Sequence, residues 1–248
     1  MQIIVFGATG RMGQNLLSLL EASATHSLAA AVSPELTTCP EQKTYACLSD
    51  FAGTADLILD FSHHTAVGQL LDFALSRRLP VVIGTTGHTP AEEAKIAQAA
   101  ETIPVFHARN LSVGVALLVQ LAQQTAKLLP NSQIEIVEIH HDQKLDVPSG
   151  TALTLAEGIR SVRPEATLNI GRHENGKRSR EEIGIHSLRM GNVVGIHEVI
   201  VTTGTQTITL KHEAHNRKLF AEGALTAGEY LAGQPAGLYH MEDMLGRN

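Results

Sequence analysis

Gln2-Ile3-Ile4-Val5-Phe6-Gly7-Ala8-Thr9-Gly10-Arg11-Met12-Gly13 decides the fold. A short apolar run of strand length enters three glycines spaced G-x-x-G-x-x-G. Leu16, Leu17, Leu19 and Leu20 then recur with a helical period. Strand, glycine turn and helix together open a βαβ unit. A diphosphate at such a turn needs glycine, because a Cβ would hold its oxygens away from the backbone N–H groups at the positive helix end. An ordinary tight βα turn could share the spacing, which differs from the commoner G-x-G-x-x-G. Arg11, within reach of a phosphate, favours a dinucleotide.

The pattern continues outward. Residues 28–32, 56–61, 81–84 and 105–107 read as strands, with helices over 65–76 and 90–101 between the later ones. Thr89 is placed to cap the second helix and Pro90 to take its first position. Such alternation predicts a parallel sheet covered on both faces. Gly84-Thr85-Thr86-Gly87 follows a short buried strand, and ligands of these sheets lie beyond the carboxyl ends of the strands, so this turn is expected beside the first. From Gln133 the texture changes. Residues 133–140 alternate as a strand, 149–162 form a helix, and 183–188, 195–203 and 206–213 read as antiparallel strands, the last two joined at Gly204-Thr205.

The fold class is therefore α/β: an N-terminal Rossmann-like doubly wound parallel sheet plus a C-terminal α+β domain with a mixed, mostly antiparallel sheet. A helix over 218–232 is expected to return to the first domain. That gives a dinucleotide-binding domain at 1–110, completed by 216–248, and a substrate-binding and oligomerisation domain at 111–215. Val199, Val201, Ile208 and Leu210 are assigned to outward sheet faces, more apolar surface than one helix covers, so this sheet is expected to meet other subunits. Residues 171–180, basic and glycine-bearing, read as a solvated loop.

The chemistry concentrates in Glu138-Ile139-His140-His141-Asp142-Gln143-Lys144-Leu145-Asp146-Val147-Pro148-Ser149-Gly150-Thr151. Imidazole moves protons near neutral pH, an ammonium fixes a carboxylate or donates a proton, and Ser-Gly-Thr opening a helix offers hydroxyls and N–H groups to an anion. Tandem histidines after a strand are often only solvated turn residues. The arrival of Lys144, Pro148 and Ser149-Gly150-Thr151 beside them points to a site for a substrate that carries carboxylates.

Composition narrows the classes further. The 248 residues fit one large or two modest domains, and 43% hydrophobic content builds real cores. Trp is absent and aromatics are 4%, so those cores must be Leu, Ile, Val and Ala. A net charge of −6 argues against nucleic acid or an anionic membrane as partner. No apolar run approaches the roughly 18 residues of a spanning helix, and the first strand begins where a signal peptide would carry its basic region. A soluble, cytoplasmic protein is expected. Cys39 and Cys47 fit neither a disulfide framework nor a zinc site.

Gly7–Gly13, Asp60-Phe61-Ser62, Gly84-Thr85-Thr86-Gly87, Asn110-Leu111-Ser112-Val113-Gly114, the His140–Thr151 segment and Phe220-Ala221-Glu222-Gly223-Ala224 resemble, in that order, the 4-hydroxy-tetrahydrodipicolinate (dihydrodipicolinate) reductases. The resemblance spans nearly the whole chain, and its His-His-x-x-Lys-x-Asp-x-Pro-Ser-Gly-Thr element is highly specific. It implies reduction of a cyclic dicarboxylic acid on the route to diaminopimelate and lysine, with NADH or NADPH as cofactor, no metal, and a homotetramer. By position it implies that Gly7, Ala8, Thr9, Gly10, Arg11 and Met12 bind the diphosphate. Gly84, Thr85, Thr86, Ala108, Arg109, Asn110 and Leu111 would line the nicotinamide and its ribose. His140 would be the acid/base residue and Lys144 a second proton donor. His141, Ser149, Gly150 and Thr151 would hold the substrate, with Arg217 on one of its carboxylates. The family often has other neighbours around the asparagine, so Asn110 carries more weight than Arg109. Glu35 is the only carboxylate near the end of the second strand and has no adjacent Arg or Lys, which leans toward the 2′-hydroxyl of NADH.

Rival classes lack their residues. Tyr45, Tyr230 and Tyr239 are followed four places on by Ser49, Gln234 and Asp243, so the Tyr-x-x-x-Lys pair of short-chain dehydrogenases is missing. Cys39 and Cys47 sit in a poor place for an acyl-forming nucleophile. The thirteen histidines form no His-Glu-x-x-His, and His212-x-x-His215 lacks supporting ligands. A non-enzymatic dinucleotide sensor would have no use for the His-His-x-x-Lys cluster. An imine reductase with another substrate is the nearest remaining alternative.

Overall fold

The computed structural model describes residues 1–246. They divide into two units, one made of Met1–Ser112 with Lys218 onward and the other of Val113–Arg217. The first unit runs β1 (Gln2–Phe6), α1 (Arg11–Ala22), β2 (Ser27–Val32), β3 (Thr44–Tyr45), β4 (Leu57–Asp60), α2 (Val67–Arg77), β5 (Val81–Ile83), α3 (Pro90–Ala100) and β6 (Pro104–His107). The second runs α4 (Val113–Leu128), β7 (Gln133–His140), α5 (Gly150–Val162), β8 (Thr167–Ile170), β9 (Glu182–Arg189), β10 (Gly195–Thr202) and β11 (Thr207–Ala214). The chain then returns to the first unit as α6 (Lys218–Leu231), β12 (Gly237–Tyr239) and α7 (Met241–Met244).

Strands of the first unit lie in the order β3-β2-β1-β4-β5-β6-β12, all parallel. The apolar runs of the central strands β1, β4, β5 and β6 are buried, as a sheet covered on both faces requires, while edge strand β12 leaves Leu238 38% exposed. Leu70, Leu71, Phe73 and Ala74 of α2, with Ile96, Ala99 and Ala100 of α3, close one core against Ile4, Phe6, Ile58, Val81 and Ile83. α6 approaches the sheet through small residues: a Cβ on Gly228 would strike the Leu57 side chain. Thr89 and Glu92 form the capping box that begins α3, with Pro90 at its first position. Chain order reverses at β1, with β2 on one side and β4 on the other. Such a switch point is where these sheets open a crevice.

The second unit has the sheet order β11-β10-β7-β9-β8. Its four pairings split evenly, β10 antiparallel to β7 and β11, and β9 parallel to β7 and β8. From sequence, 183–188 is expected in a run of antiparallel strands. β9 is antiparallel to β10 in direction, but β7 lies between them, so β9 gains parallel partners. α4 was not anticipated at all. One sheet face lies under α4 and α5, where Leu118, Ala122, Leu155, Ala156 and Ile159 meet Ile134, Ile136, Ile183 and Ile185. Val199 and Val201 belong to this covered core and Leu210 packs on it, while Ile208 stays 38% exposed at its edge. Expecting Val199, Val201 and Leu210 on an outward face was therefore wrong, because α4 and α5 together cover them. The opposite face presents Val137, Ile139, Ile196 and Ile200, which alternate with the covered residues and are only partly buried.

Arg163, just beyond α5, sends Nε and Nη2 to the carbonyl of Ala126 (3.1 and 2.9 Å) and Nη1 to that of Ser132 (2.9 Å). Carbonyls that end α4 thereby find donors and the two helices are tied together. In the predicted solvated loop, Arg172 pairs with Glu182 and Arg178 with Glu135.

Candidate active site

In the first unit the glycine turn has the form its spacing demands. Gly7 has φ +83°, and a Cβ there would run into the Phe61 carbonyl; one on Gly13 would meet the carbonyl of Gly7. The N–H groups of Gly7 and Ala8 both reach the Val32 carbonyl (2.9 and 3.1 Å), which pins the turn to the end of β2. Exposed Gly10 is the N-cap of α1, and no side chain among the described residues caps that end. Bare N–H groups over a glycine floor fit a diphosphate. Arg11 is exposed beside them and Met12 is half-buried.

Other positions join this end of the sheet. Thr9 Oγ1 donates to Glu35 Oε2 at 2.8 Å and Ser33 Oγ to the same oxygen at 2.5 Å. These hydroxyls hold the exposed Glu35 carboxyl below its usual range. Gly84 and Leu111 pack together on the adjacent ends of β5 and β6: a Cβ on Gly84 would lie 2.9 Å from Leu111 Cδ1 and closer still to the Phe61 ring. Thr85 is buried and Thr86 exposed, and Ala108 is buried while Arg109 points to solvent. Asn110 Oδ1 accepts the Ser112 N–H at 2.9 Å, so its carbonyl end shapes the loop. Asp60, at the end of β4, is buried, and burial pushes its carboxyl up against the opposing Ser62 and Thr85 hydroxyls.

The second unit holds a cluster of titratable side chains around His140. Alternation along β7 puts Glu138 and His140 on the helix-covered face with Ile134 and Ile136. Glu138 is 0% exposed, yet every direction around it is satisfied. Oε2 meets His140 Nδ1 at 2.5 Å and Arg189 Nη1 at 2.9 Å; Oε1 accepts from Arg189 Nη2 at 2.8 Å and the Ser149 N–H at 3.2 Å. Burial alone would raise its pKa, but the Arg189 fork and the His140 contact prevail and bring it to about 2. A carboxylate on Nδ1 assigns the proton of neutral His140 to that nitrogen and leaves Nε2 to face outward past Gly195, whose missing Cβ would sit 3.1 Å from it. Burial holds the His140 pKa below its ordinary value, against the pull of Glu138.

Arg189 Nη2 also donates to the Asp146 carbonyl at 2.7 Å, and the Asp146 carboxylate pairs with Lys144 Nζ at 2.8 Å. The ammonium is thereby linked to the same clamp as the imidazole. His141, half-buried, anchors its loop through its N–H on the Val193 carbonyl at 2.7 Å. Gly150 and Thr151 open α5, and the position of a Gly150 Cβ has no atom within 4 Å. Ser149 caps α5: its hydroxyl accepts the Ala152 N–H (3.2 Å) and faces His197 Nε2 (3.1 Å), and its N–H serves Glu138. Arg217 is exposed on the segment after β11. Glu138, Arg189 and His197 had no role in the sequence reading. A carboxylate two places before a histidine on a buried strand face was the available signal.

A doubly wound sheet with an open glycine turn, and a second unit bearing a carboxylate-oriented histidine and a lysine, define an NAD(P)H-dependent oxidoreductase. Two family models divide the chain, "Dihydrodipicolinate reductase, N-terminus" over residues 1–111 and "Dihydrodipicolinate reductase, C-terminus" over 114–245. The chain is 40% identical over 253 residues to the 4-hydroxy-tetrahydrodipicolinate reductase of Alkaliphilus metalliredigens, covering 99% of each. It is 39% identical over 247 residues to that of Caldanaerobacter subterraneus, covering 98% of each. A dipicolinate-bound dihydrodipicolinate reductase from Paenisporosarcina superposes with a TM-score of 0.82 at 26% identity over 97% of both chains. The chain belongs to the dihydrodipicolinate reductase family.

Proposed function

We propose that this protein reduces 4-hydroxy-tetrahydrodipicolinate to tetrahydrodipicolinate with loss of water, in lysine biosynthesis through diaminopimelate. The observation that carries the mechanism is the Glu138–His140 pair, clamped by Arg189 at the N-terminus of α5 and joined through Asp146 to Lys144. Bound at Gly7–Met12, with Gly84–Thr86 and Ala108–Leu111 along its other half, the nicotinamide cofactor supplies a hydride. Reduction of a ring conjugated with an imine leaves an electron-rich carbon that must be protonated, so a general acid is required beside it. His140 Nε2 is that acid. The imidazole rests neutral because burial disfavours its charge, and an arriving dianion reverses the balance, so proton and substrate enter together. Lys144 is the second donor. One substrate carboxylate takes the N–H groups at Gly150 and Thr151, with His141 and Arg217 as further partners.

Glu35, held by Thr9 and Ser33 beside the glycine turn, favours the ribose hydroxyls of NADH. The face bearing Val137, Ile139, Ile196 and Ile200 joins copies of the chain toward the homotetramer that the resemblance implies. The test is the absorbance loss of NADH, then NADPH, when the protein meets substrate freshly made from aspartate semialdehyde and pyruvate. His140→Gln and Lys144→Ala should each keep dinucleotide affinity and lose at least ~100-fold in rate, the scale of a missing general acid. Tight NADH binding without oxidation by the wild type contradicts the proposal, as does full activity in both variants.

A further inference from the structure

His88, Glu93 and His107 belong to none of the chemistry above, yet each turns a ligating atom toward the other two. One nitrogen of each imidazole and one Glu93 oxygen all lie within 4.8 Å of one another. They come from three places: the loop following Gly84–Gly87, the first turn of α3, and the last residue of β6. His107 Nδ1 and Glu93 Oε2 stand 3.4 Å apart, long for a charge-assisted hydrogen bond, which runs to about 2.9 Å. That separation does match the edge of a tetrahedron whose metal–ligand bonds are about 2.0–2.1 Å. His88 Nε2 is buried with no hydrogen-bond partner, an arrangement that normally costs free energy unless something else fills the role. The two rings meet edge to face, with centroids 5.4 Å apart, so their nitrogens can converge without stacking.

We propose that His88, Glu93 and His107 form a binding site for a divalent transition-metal ion of the zinc class. Two imidazoles and one carboxylate without a thiol select Zn²⁺, Co²⁺ or Ni²⁺ over Mg²⁺ and Ca²⁺, which prefer all-oxygen shells. Three protein ligands leave a fourth position for water. The ion does no redox chemistry and takes no part in the reduction; it cross-links β6, α3 and the loop after Gly87.

The test is Zn²⁺ titration of the metal-stripped protein against a chromophoric chelator, with thermal unfolding followed in the same samples. Wild type should take up one Zn²⁺ per chain and unfold at a higher temperature as Zn²⁺ is added. Glu93→Gln and His107→Phe should each weaken that uptake at least ~10-fold, the lower end of what loss of even an outer partner does. The double replacement His63→Gln and His64→Gln, in the neighbouring histidine pair, should leave it unchanged. Glu93 is partly exposed, so Glu93→Gln decides the matter if His107→Phe does not fold. Uptake of equal affinity in Glu93→Gln, loss in the His63/His64 variant alone, or no uptake by wild type at ~10 µM Zn²⁺ would each overturn the site.

Discussion

Glu138→Gln removes one charge and almost no volume from the centre of the proposed acid site. Despite its burial, the Arg189 fork and the His140 contact hold the wild-type carboxyl down at about 2 against an ordinary 4.5, a preference for the charged form worth about 3 kcal/mol. The sign follows from linkage. A carboxylate whose folded pKa is depressed contributes stability that is present above its unfolded pKa and lost as pH falls through the folded one. Measured as the difference between wild type and variant, the contribution is about 3 kcal/mol at pH 7, about 1 kcal/mol at pH 3, and little below pH 2. Truncating a buried ion pair costs about 3–5 kcal/mol in general, because the partner charge is stranded, so two independent routes agree. Urea unfolding of both proteins at pH 7 and pH 3 gives the comparison, with slope m as the check that unfolding stays two-state. A Gln also no longer dictates which nitrogen of His140 carries the proton, so turnover at pH 7 should fall by about 10²–10⁴. Equal stability of the two proteins at pH 7, or a difference that does not shrink by pH 3, refutes the buried-clamp reasoning.

Two further outcomes follow from the same geometry. Burial lowers the His197 pKa to about 4 from 6.5, so the unfolded chain takes up its proton first and the wild type loses stability as pH falls from 6.5 to 4. His197→Asn should flatten unfolding free energy across that window, and a drop as steep as that of wild type would contradict the assignment. Glu35→Gln should move the ratio of kcat/KM for NADH to that for NADPH toward NADPH by roughly severalfold, since the lost carboxylate no longer repels the extra phosphate. An unchanged ratio removes Glu35 from cofactor selection.

Much of this was readable from local pattern. The glycine turn announces itself because phosphate binding and tight βα geometry constrain consecutive residues, and Thr89-Pro90-x-Glu92 begins a helix by rules that span four positions. α4 escaped because nearly every turn of Val113–Leu128 carries apolar residues on more than one side, so its amphipathic stripe is blurred. The clamp around Glu138 was hidden for a different reason. Arg189 and His197 reach it only through sheet register, which sets His140 opposite Arg189 and Glu138 opposite His197. Periodicity along β9 and β10 gives the faces of each strand but not the intervening β7. The same limit misdirected the outward-face reading of Val199 and Val201, since strand alternation gives two faces and only the helices decide which is covered. His88, Glu93 and His107 are likewise separated along the chain and meet only where β5 and β6 end and α3 begins.

The central claim is that the dinucleotide reduces a substrate carbon that a chain-borne acid then protonates. Its most direct measurement is mass spectrometry of the product made with NADH deuterated at C4, using each of the two stereospecifically labelled forms. One form should place one deuterium on the product ring and the other none. Unlabelled product from both forms, or no product while NADH stays bound and unoxidised, contradicts the account.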